Sequence, residues 1–176
     1  QEIMAMEGGG EIARFDPATK AYDQYKQVIG YYDISPAEPK IAFDLLNYAP
    51  AGNEIIHVSN LELNSTVDLT KSDGTEFHSL PKFSPDGKWI AFVAAKPFVD
   101  FEQQESRLMI VPTDGSSAPE QVFTGAGVLD PGWMPDGKSL LVFVGTYESP
   151  RIVQVILADK SVKELAEGRG WSVVQK

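Results

Sequence analysis

The sequence contains no cysteine and only two histidines. The lack of cysteine excludes disulfides, thiolate nucleophiles and zinc sites built on cysteine. No apolar run approaches the roughly 18 residues that a membrane-spanning helix needs, and no signal-peptide pattern is visible. Because the chain begins at Gln1 rather than Met, we expect that an upstream segment was removed or not included.

Basic residues are also scarce. There are 15 Lys and Arg against 25 Asp and Glu among 176 residues, a formal net charge of −10. Nucleic acids and anionic membrane surfaces are bound largely through basic faces, so both are disfavoured as partners. Neutral or basic partners are favoured instead. The length is sufficient for one domain with an ample core, and we interpret residues 1–176 as a single domain.

A repeated phrase is the strongest pattern present. Phe-Ser-Pro-Asp-Gly-Lys-Trp-Ile-Ala-Phe at Phe83–Phe92 is followed 50 residues later by a similar phrase at Trp133–Phe143, and a degraded copy at Ile34–Phe43 precedes it by 49 residues. Pro, Asp and Gly in this order form a tight turn, and the apolar run that follows is typical of a covered strand. Such a period predicts an all-β propeller.

Each repeat is interpreted as four antiparallel strands, a to d. In the best copy, a tight a–b turn stands at Ser84–Gly87 and a c–d turn at Thr113–Ser116. The a–b and c–d turns of every blade then share one end of the molecule, the turn face. The b–c loops and d–a connections share the other end, the loop face. The four strands of this copy are Ser79–Phe83, Trp89–Ala94, Arg107–Val111 and Glu120–Phe123. The strands of the preceding copy are Tyr31–Ile34, Lys40–Leu45, Glu54–Leu61 and Thr66–Leu69. Those of the following copy are Gly132–Met134, Leu140–Val144, Ile152–Leu157 and Val162–Ala166.

The two ends of the chain complement each other. Glu2–Met6, Glu11–Phe15 and Ala21–Tyr25 resemble strands b, c and d, while Gly170–Val174 resembles strand a. We therefore predict four blades, closed by pairing of the C-terminal strand with the N-terminal strands, which removes open sheet edges. Two alternatives stay open: an arc of a larger propeller, or an open arc that self-associates with a second copy.

The phrase at Phe83–Phe92 resembles the repeat of TolB-type, WD-like propellers. This resemblance covers roughly residues 30 to 170. It implies a location in the periplasm or outside the cell, and it is shared by TolB, by the propellers of prolyl-oligopeptidase-like and tricorn-like peptidases and by certain pectin-degrading lyases. The repeated residues are structural by their chemistry, so the resemblance implies architecture rather than an activity.

The loop face carries the candidate partner-binding residues. Proline and aromatic residues gather in three of the predicted b–c loops, and exposed aromatics on a rigid scaffold are typical interface anchors. The alternative is that the aromatics pack back on their own blades. The predicted patch consists of Tyr48, Pro97, Phe98, Phe101, Tyr147 and Arg151.

Polar residues of the d–a connections form a second candidate site on the same face. Glu76, His78, Asp130 and Arg169 are predicted to surround a small polar funnel near the axis. A carboxylate–histidine set suits acid/base work or ligand binding. One histidine with scattered carboxylates is a weak metal signal, so no metal or other cofactor is predicted. His57, between Ile56 and Val58, is interpreted as a residue on the sheet surface.

The sequence offers no recognisable catalytic machinery. It has no Gly-x-Ser-x-Gly elbow, and the run Gly8–Gly10 lacks the lysine of a phosphate loop. We therefore expect a non-enzymatic docking or accessory subunit that binds a protein partner, such as a membrane-associated complex. The alternative is a module of an enzyme that binds a saccharide or peptide, or gates access, through the funnel around His78.

Overall fold

The computed structural model describes residues 2–4, 11–16, 18–45, 54–96, 105–127, 129–145 and 149–168. Within these residues the chain forms β-strands and no helix, which confirms the all-β prediction. No helix long and apolar enough to cross a membrane occurs in the described part. In chain order the strands are β1 (Glu2–Met4), β2 (Glu11–Asp16), β3 (Ala21–Ile34), β4 (Lys40–Leu45), β5 (His57–Asn60), β6 (Val67–Asp68), β7 (Phe77–Phe83), β8 (Trp89–Ala95), β9 (Glu105–Pro112), β10 (Glu120–Ala126), β11 (Leu129–Trp133), β12 (Ser139–Val144), β13 (Arg151–Ile156) and β14 (Val162–Glu167).

The strands are arranged as successive antiparallel meanders. Strands β7 to β10 form one four-stranded sheet and β11 to β14 another, and β1 to β6 form a six-stranded sheet. We call the second half of β3 with β4 to β6 blade 1, β7 to β10 blade 2, and β11 to β14 blade 3. Each blade follows the predicted a-to-d order, with a–b turns at the three copies of the repeated phrase.

Strand β3 departs from the predicted pattern. The sequence suggested a d strand at Ala21–Tyr25 and a separate a strand at Tyr31–Ile34, but the structure has one strand of 14 residues. Its first half pairs with β2 and its second half with β4. No proline or Pro-Asp-Gly turn interrupts residues 21–34, so the chain passes from one blade to the next without leaving the extended conformation.

Blade-to-blade packing forms the core. Alternate residues of β8 point to opposite faces, as the two-residue period of a strand requires. Ile90 and Phe92 pack with blade 1, in a cluster that includes Ala42 and Val58. Ala91 and Val93 belong to a second cluster, formed with blade 3. Since both faces of β8 are covered, its near-continuous apolar sequence is explained.

The Pro-Asp-Gly turns are held by their own side chains. Asp86 Oδ1 accepts hydrogen bonds from the Ser84 hydroxyl at 2.7 Å and from the Lys88 N–H at 3.1 Å. Gly87 has φ of +70°, which glycine adopts without steric cost. The Thr113 hydroxyl donates to the Gly87 carbonyl at 2.8 Å. The a–b and c–d turns of blade 2 therefore meet at one end, as predicted.

The innermost strands of blades 2 and 3 carry matching bulges. The pairing register shifts between Ser79 and Lys82 in β7, and between Leu129 and Gly132 in β11. Leu80 and Asp130, inside these shifts, have φ of +57° and +49°. Bulges turn individual backbone groups out of the ladder. This leaves the Leu80 N–H available to a side chain of the neighbouring blade, which matters for the site described next.

Ring closure concerns residues outside the described part. The predicted C-terminal a strand, Gly170–Val174, falls there, so its pairing with the N-terminal strands stays a prediction.

Candidate functional site

Ionisable side chains gather at the loop-face end of blades 1 and 2. Asp44 lies near the end of β4, Glu54 stands just before β5, and His78 is in β7. The backbone N–H of His78 donates to the backbone carbonyl oxygen of Glu54 at 2.9 Å, which joins the two blades at this point. These three residues, with Thr70, Glu76 and Arg107, are called the loop-face cluster below.

Asp44 is a buried carboxyl group that links two blades. It is 3 % exposed. Its Oδ1 accepts a hydrogen bond from the Tyr31 N–H at 2.8 Å, and its Oδ2 accepts one from the Leu80 N–H at 3.3 Å. Tyr31 belongs to β3 and Leu80 to the bulge of β7. One side chain therefore satisfies a backbone donor on the innermost strand of each blade.

Burial gives Asp44 an unusual protonation equilibrium. Loss of solvent raises the pKa of its carboxyl to about 7, and the two backbone hydrogen bonds only partly oppose this. The negative charge of Glu54 acts in the same direction as burial. Burial also raises the pKa of Glu54 itself. Desolvation is therefore the dominant influence on both carboxyl groups.

His78 is fixed by a buried hydroxyl. Its Nδ1 lies 2.8 Å from Thr70 Oγ1, which already accepts the Ile56 N–H at 2.9 Å. The hydroxyl group has one hydrogen and two lone pairs, so it can either donate to Nδ1 or accept from an Nδ1–H, according to the tautomer of the ring. Burial lowers the pKa of His78, so the neutral ring is favoured. The ring also packs against Phe92, with centroids 5.2 Å apart, and these contacts hold it in one orientation.

An ion pair borders the same region. Arg107, near the start of β9, donates through Nη2 to Glu76 Oε2, and both side chains are partly exposed. A shallow cavity of about 390 Å³ lies here, lined by Glu76, His78 and the connection that precedes β7. Ser72 and Thr75 also line it, and their hydroxyl groups donate to the Glu76 carbonyl and to Asp73 Oδ1. The cavity thus contains the Glu76 carboxylate and the His78 ring, and the Arg107 guanidinium is held next to it by Glu76.

Two of the four predicted funnel residues belong to this cluster. Glu76 and His78 are brought together, with Arg107 added by the structure. Asp130 instead lies in β11 of blade 3, where its Oδ1 is 3.9 Å from Lys82 Nζ. Arg169 falls outside the described residues.

Arg151 is the described member of the predicted partner-binding patch. It begins β13, is exposed, and its Nη1 lies 3.4 Å from Glu164 Oε2 on the neighbouring strand. This placement is compatible with an accessible position, and it leaves the partner-binding prediction untested. Outside the described residues are Tyr48, Pro97, Phe98, Phe101 and Tyr147.

His57 does not lie on the sheet surface. It is 8 % exposed, its Nδ1 is 2.9 Å from Asp68 Oδ1, and its ring stacks on Phe43 with centroids 5.3 Å apart. The expectation of a surface residue was wrong because both faces of blade 1 are covered. Among the described residues, no group of three or more His, Asp or Glu side chains is arranged to hold a metal ion.

Sequence reasoning missed Asp44, Thr70 and Arg107. For Asp44 a signal was available. The phrase Ile-Ala-Phe-Asp-Leu in β4 carries an aspartate where the aligned copies have Val93 and Phe143. A charged residue that replaces an apolar one in a repeat indicates a special role, because burying it has a free-energy cost. Thr70 and Arg107 gave no comparable signal, since their partners are distant in the sequence.

Comparison with known proteins places these observations in a wider context. No protein-family model matches the chain. It is 34 % identical over 141 residues to the uncharacterized peptidase YuxL of Bacillus subtilis strain 168; the match covers 71 % of this chain and 20 % of that protein. The chain therefore spans about a fifth of the length of this curated relative.

Solved structures confirm the propeller fold. An oligogalacturonate lyase in complex with manganese matches with a TM-score of 0.71 at 14 % identity, over 94 % of this chain and 44 % of that one. TolB from Acinetobacter baumannii matches with 0.68 at 15 % identity, over 94 % and 40 %. A puromycin-hydrolyzing peptidase of Mycobacterium tuberculosis matches with 0.68 at 13 % identity, over 92 % and 29 %. At these identities the likeness shows the fold alone.

The expectation of a non-enzymatic protein is contradicted. The relative at 34 % identity is named a peptidase, and peptidases are among the structural neighbours. The expectation failed for a physical reason. It rested on the lack of a nucleophile motif within 176 residues, whereas the residues that identify the repeat build turns and strands and carry no information about chemistry elsewhere in a protein.

Proposed function

We propose that this chain is the propeller part of a peptidase, and that the loop-face cluster contacts the peptide substrate. The observation that carries the proposal is the 34 % identity over 141 residues to a B. subtilis peptidase. Because the chain spans 20 % of that protein, the activity is assigned to the whole protein that contains this chain. Under this proposal the bond-cleaving residues lie outside these 176 residues.

The chemistry of the cluster suits an extended peptide. A peptide backbone alternates N–H donors and carbonyl acceptors, and each loses free energy if it is buried without a partner. Glu76 supplies an acceptor beside the donors of Arg107 and His78. The ion pair holds the guanidinium in place before a ligand arrives, so less conformational entropy is lost on binding. The cluster therefore serves selection and orientation of substrate.

Binding of a macromolecular partner through the loop face is a further part of the proposal. The b–c loops flank the cluster in the chain, and the exposed Arg151 side chain stands at the same end, where β13 begins. A catalytic domain of the same protein is the partner that fits a peptidase. A location in the periplasm or outside the cell is proposed on the resemblance to TolB-type repeats.

Peptide hydrolysis by the whole natural protein tests the proposal. Purified protein is assayed with a series of unstructured peptides of increasing length, as wild type and as Arg107→Met. Loss of the guanidinium should lower kcat/KM for the longer peptides about fivefold or more, which corresponds to about 1 kcal/mol of lost binding to the transition state. Lys160→Met is the matched control, because it removes one positive charge from an ion pair with Glu120 on the turn face.

The control should leave kcat/KM unchanged. Absence of any peptide hydrolysis by the whole protein would overturn the peptidase assignment. Hydrolysis that is equally fast in wild type and Arg107→Met would instead retain the peptidase and remove the loop-face cluster from its substrate site.

A further inference from the structure

The turn face holds a small pocket at the point where blades 2 and 3 meet. A Cβ atom added to Gly137 would lie 3.9 Å from Pro85 Cδ, so the two Pro-Asp-Gly turns lie close together. Between them is a cavity of about 320 Å³, lined by Pro85, Asp86, Trp89, Pro135 and Asp136 among others. This pocket lies at the opposite end of the blades from the loop-face cluster and is independent of the proposed function.

Trp89 is the unusual member of this pocket. It begins β8, and the aligned positions in the other copies are Lys40 and Ser139, so the repeat does not require an aromatic residue there. The residue remains 36 % exposed, whereas Trp133 is 9 % exposed and donates its indole N–H to the Lys82 carbonyl at 2.9 Å. Blade packing explains Trp133. It does not explain Trp89, which stays partly exposed and lines the same pocket as Pro85 and Pro135.

Two carboxylates stand beside the indole in fixed orientations. Asp86 Oδ1 is occupied by the Ser84 hydroxyl and the Lys88 N–H, and Asp136 Oδ1 accepts the Lys138 N–H at 2.9 Å. Among the described residues neither Oδ2 has a hydrogen-bond donor. The turn bonds lower the pKa of Asp86, so this carboxyl group stays ionised. Each turn therefore presents one carboxylate oxygen that is rigidly placed and available.

We propose that this pocket binds the guanidinium group of an arginine side chain from a protein or peptide partner. A planar cation stacks on an indole face and can donate to two carboxylates at once. Lysine fits less well, because its compact ammonium group cannot stack on the indole ring and cannot form the paired hydrogen bonds of a planar guanidinium. The chain's net charge of −10 also draws basic partners to it.

The neighbouring lysines limit the strength of the site. Lys88 and Lys138 are exposed and follow the two turns directly, so part of the carboxylate charge is already balanced. Selectivity should therefore come from the stacking geometry more than from net charge. Weak binding of an isolated arginine, with a gain for peptides that present it on a rigid backbone, is the expected behaviour.

An NMR titration of the whole 176-residue chain at low salt tests the proposal. The probes are acetylated, amidated tripeptides Gly-Arg-Gly, Gly-Lys-Gly and Gly-Gly-Gly, and the reporters are the Trp89 indole N–H and the Gly137 amide. The arginine peptide should give saturable shifts of both signals, with an affinity about threefold above that of the lysine peptide. The Trp133 indole signal should stay in place and report an intact fold.

Variants with a matched charge separate the pocket from the charge of the whole chain. Trp89→Ser introduces the residue found at the aligned position of blade 3 and should weaken arginine binding about threefold. The double variant Asp86→Asn with Asp136→Asn should weaken it about fivefold. Asparagine still caps both turns, since its Oδ1 accepts the same N–H.

The control double variant is Asp114→Asn with Asp159→Asn. Both residues cap turns through Oδ1, at Ser116 and Ser161, and the change in net charge is the same. It should bind the arginine peptide as wild type does. Equal weakening in the two double variants would assign the binding to overall charge and overturn the site. Equal affinity for the arginine and lysine peptides would also overturn the site. The absence of a saturable shift of the Trp89 and Gly137 signals would do the same.

Discussion

Aspartates in the exposed turns and aspartates buried between the blades have opposite pKa shifts. On the turn face, Asp86, Asp114 and Asp159 accept hydrogen bonds within their own turns, and these bonds lower each pKa. In the strands, Asp33 and Asp44 also accept backbone hydrogen bonds from neighbouring strands, yet burial raises the pKa of both. Aspartates that accept similar hydrogen bonds therefore have lowered pKa values on the surface and raised pKa values inside, and desolvation causes the difference.

The two sets of aspartates also differ in how far along the chain their hydrogen-bond partners lie. A turn aspartate bonds to the backbone two residues along, so its role is complete within the repeated phrase. Asp44 bonds to Tyr31, 13 residues away, and to Leu80, 36 residues away. Each of these caps is therefore complete within one turn, whereas Asp44 connects two blades.

The largest effect should come from removing the carboxyl group of Asp44. Asp44→Val introduces the residue at the aligned position of blade 2, Val93. It leaves the N–H groups of Tyr31 and Leu80 without their acceptor. Each orphaned donor costs about 1–3 kcal/mol, and relief of carboxyl desolvation offsets only part of this. We expect a loss of about 3 kcal/mol in the free energy of unfolding, measured with urea at pH 7.

Asp114→Asn serves as the control for Asp44→Val, because it changes an aspartate whose cap asparagine can replace. Its unfolding midpoint should match that of wild type. A stability equal to or above wild type for Asp44→Val would show that desolvation of the carboxyl outweighs its two hydrogen bonds, and would remove Asp44 as a link between blades.

A second, smaller effect is the pH dependence that Asp44 confers. Its pKa is raised from an ordinary 3.8 to about 7 on folding. Between these two pKa values the folded protein keeps Asp44 protonated, while the unfolded chain ionises it. The contribution of Asp44 to the free energy of unfolding is therefore fully present below pH 4 and is lost as the pH rises towards 7. Relative to Asp44→Asn, wild type should lose about 1 kcal/mol per pH unit between pH 5 and pH 7.

The comparison with Asp44→Asn removes the contributions of groups that do not interact with Asp44. His57 and His78, whose pKa values are lowered by burial, and Asp33, whose pKa is raised, are present in both proteins and cancel in the difference. Glu54 interacts electrostatically with Asp44, so the difference reports the titration of Asp44 together with this coupling. Unfolding free energies from urea titrations at several pH values give the result. A difference between the two proteins that does not vary with pH would show that Asp44 is ionised in the folded state throughout.

Much of the fold could be predicted because its signals are local. The Pro-Asp-Gly turn defines where one strand ends and the next begins, and β8 and β12 were placed to within a residue of their bounds. Blade 1 was less accurate at its outer strands, where Glu54–Leu61 and Thr66–Leu69 became β5 and β6. There the N–H groups of Leu69 and Thr70 both donate to the Ile56 carbonyl, which ends the ladder early.

The candidate site was only partly predictable. Glu76 and His78 could be placed on the loop face from strand order alone. Arg107 joins them across 31 residues, and nothing in the local sequence announces that ion pair. Enzymatic activity was the hardest property to infer, since the repeat describes a scaffold that TolB, a lyase and peptidases share.

The smallest effect concerns the turn glycines, which are alike in backbone and unlike in surroundings. Gly87 and Gly137 have φ of +70° and +66°, so replacement by alanine strains both, at about 1 kcal/mol each. A Cβ at Gly87 would lie only 2.9 Å from Ala37 Cβ and Ser35 Oγ, whereas the nearest atom at Gly137 is 3.9 Å away. The close contact should therefore cost Gly87→Ala about 1 kcal/mol of stability beyond the loss that it shares with Gly137→Ala.

Thermal unfolding of the two alanine variants beside wild type measures this difference. The Gly137 variant is the control, because it shares the left-handed strain and lacks the close contact with blade 1. Equal losses of stability would mean that Ser35 and Ala37, in the turn of blade 1, move to accommodate the added methyl group. The turn of blade 2 would then be packed loosely against that of blade 1, and the link between the two blades at this end would be the hydrogen bond from the Phe83 N–H to Asp33 Oδ2.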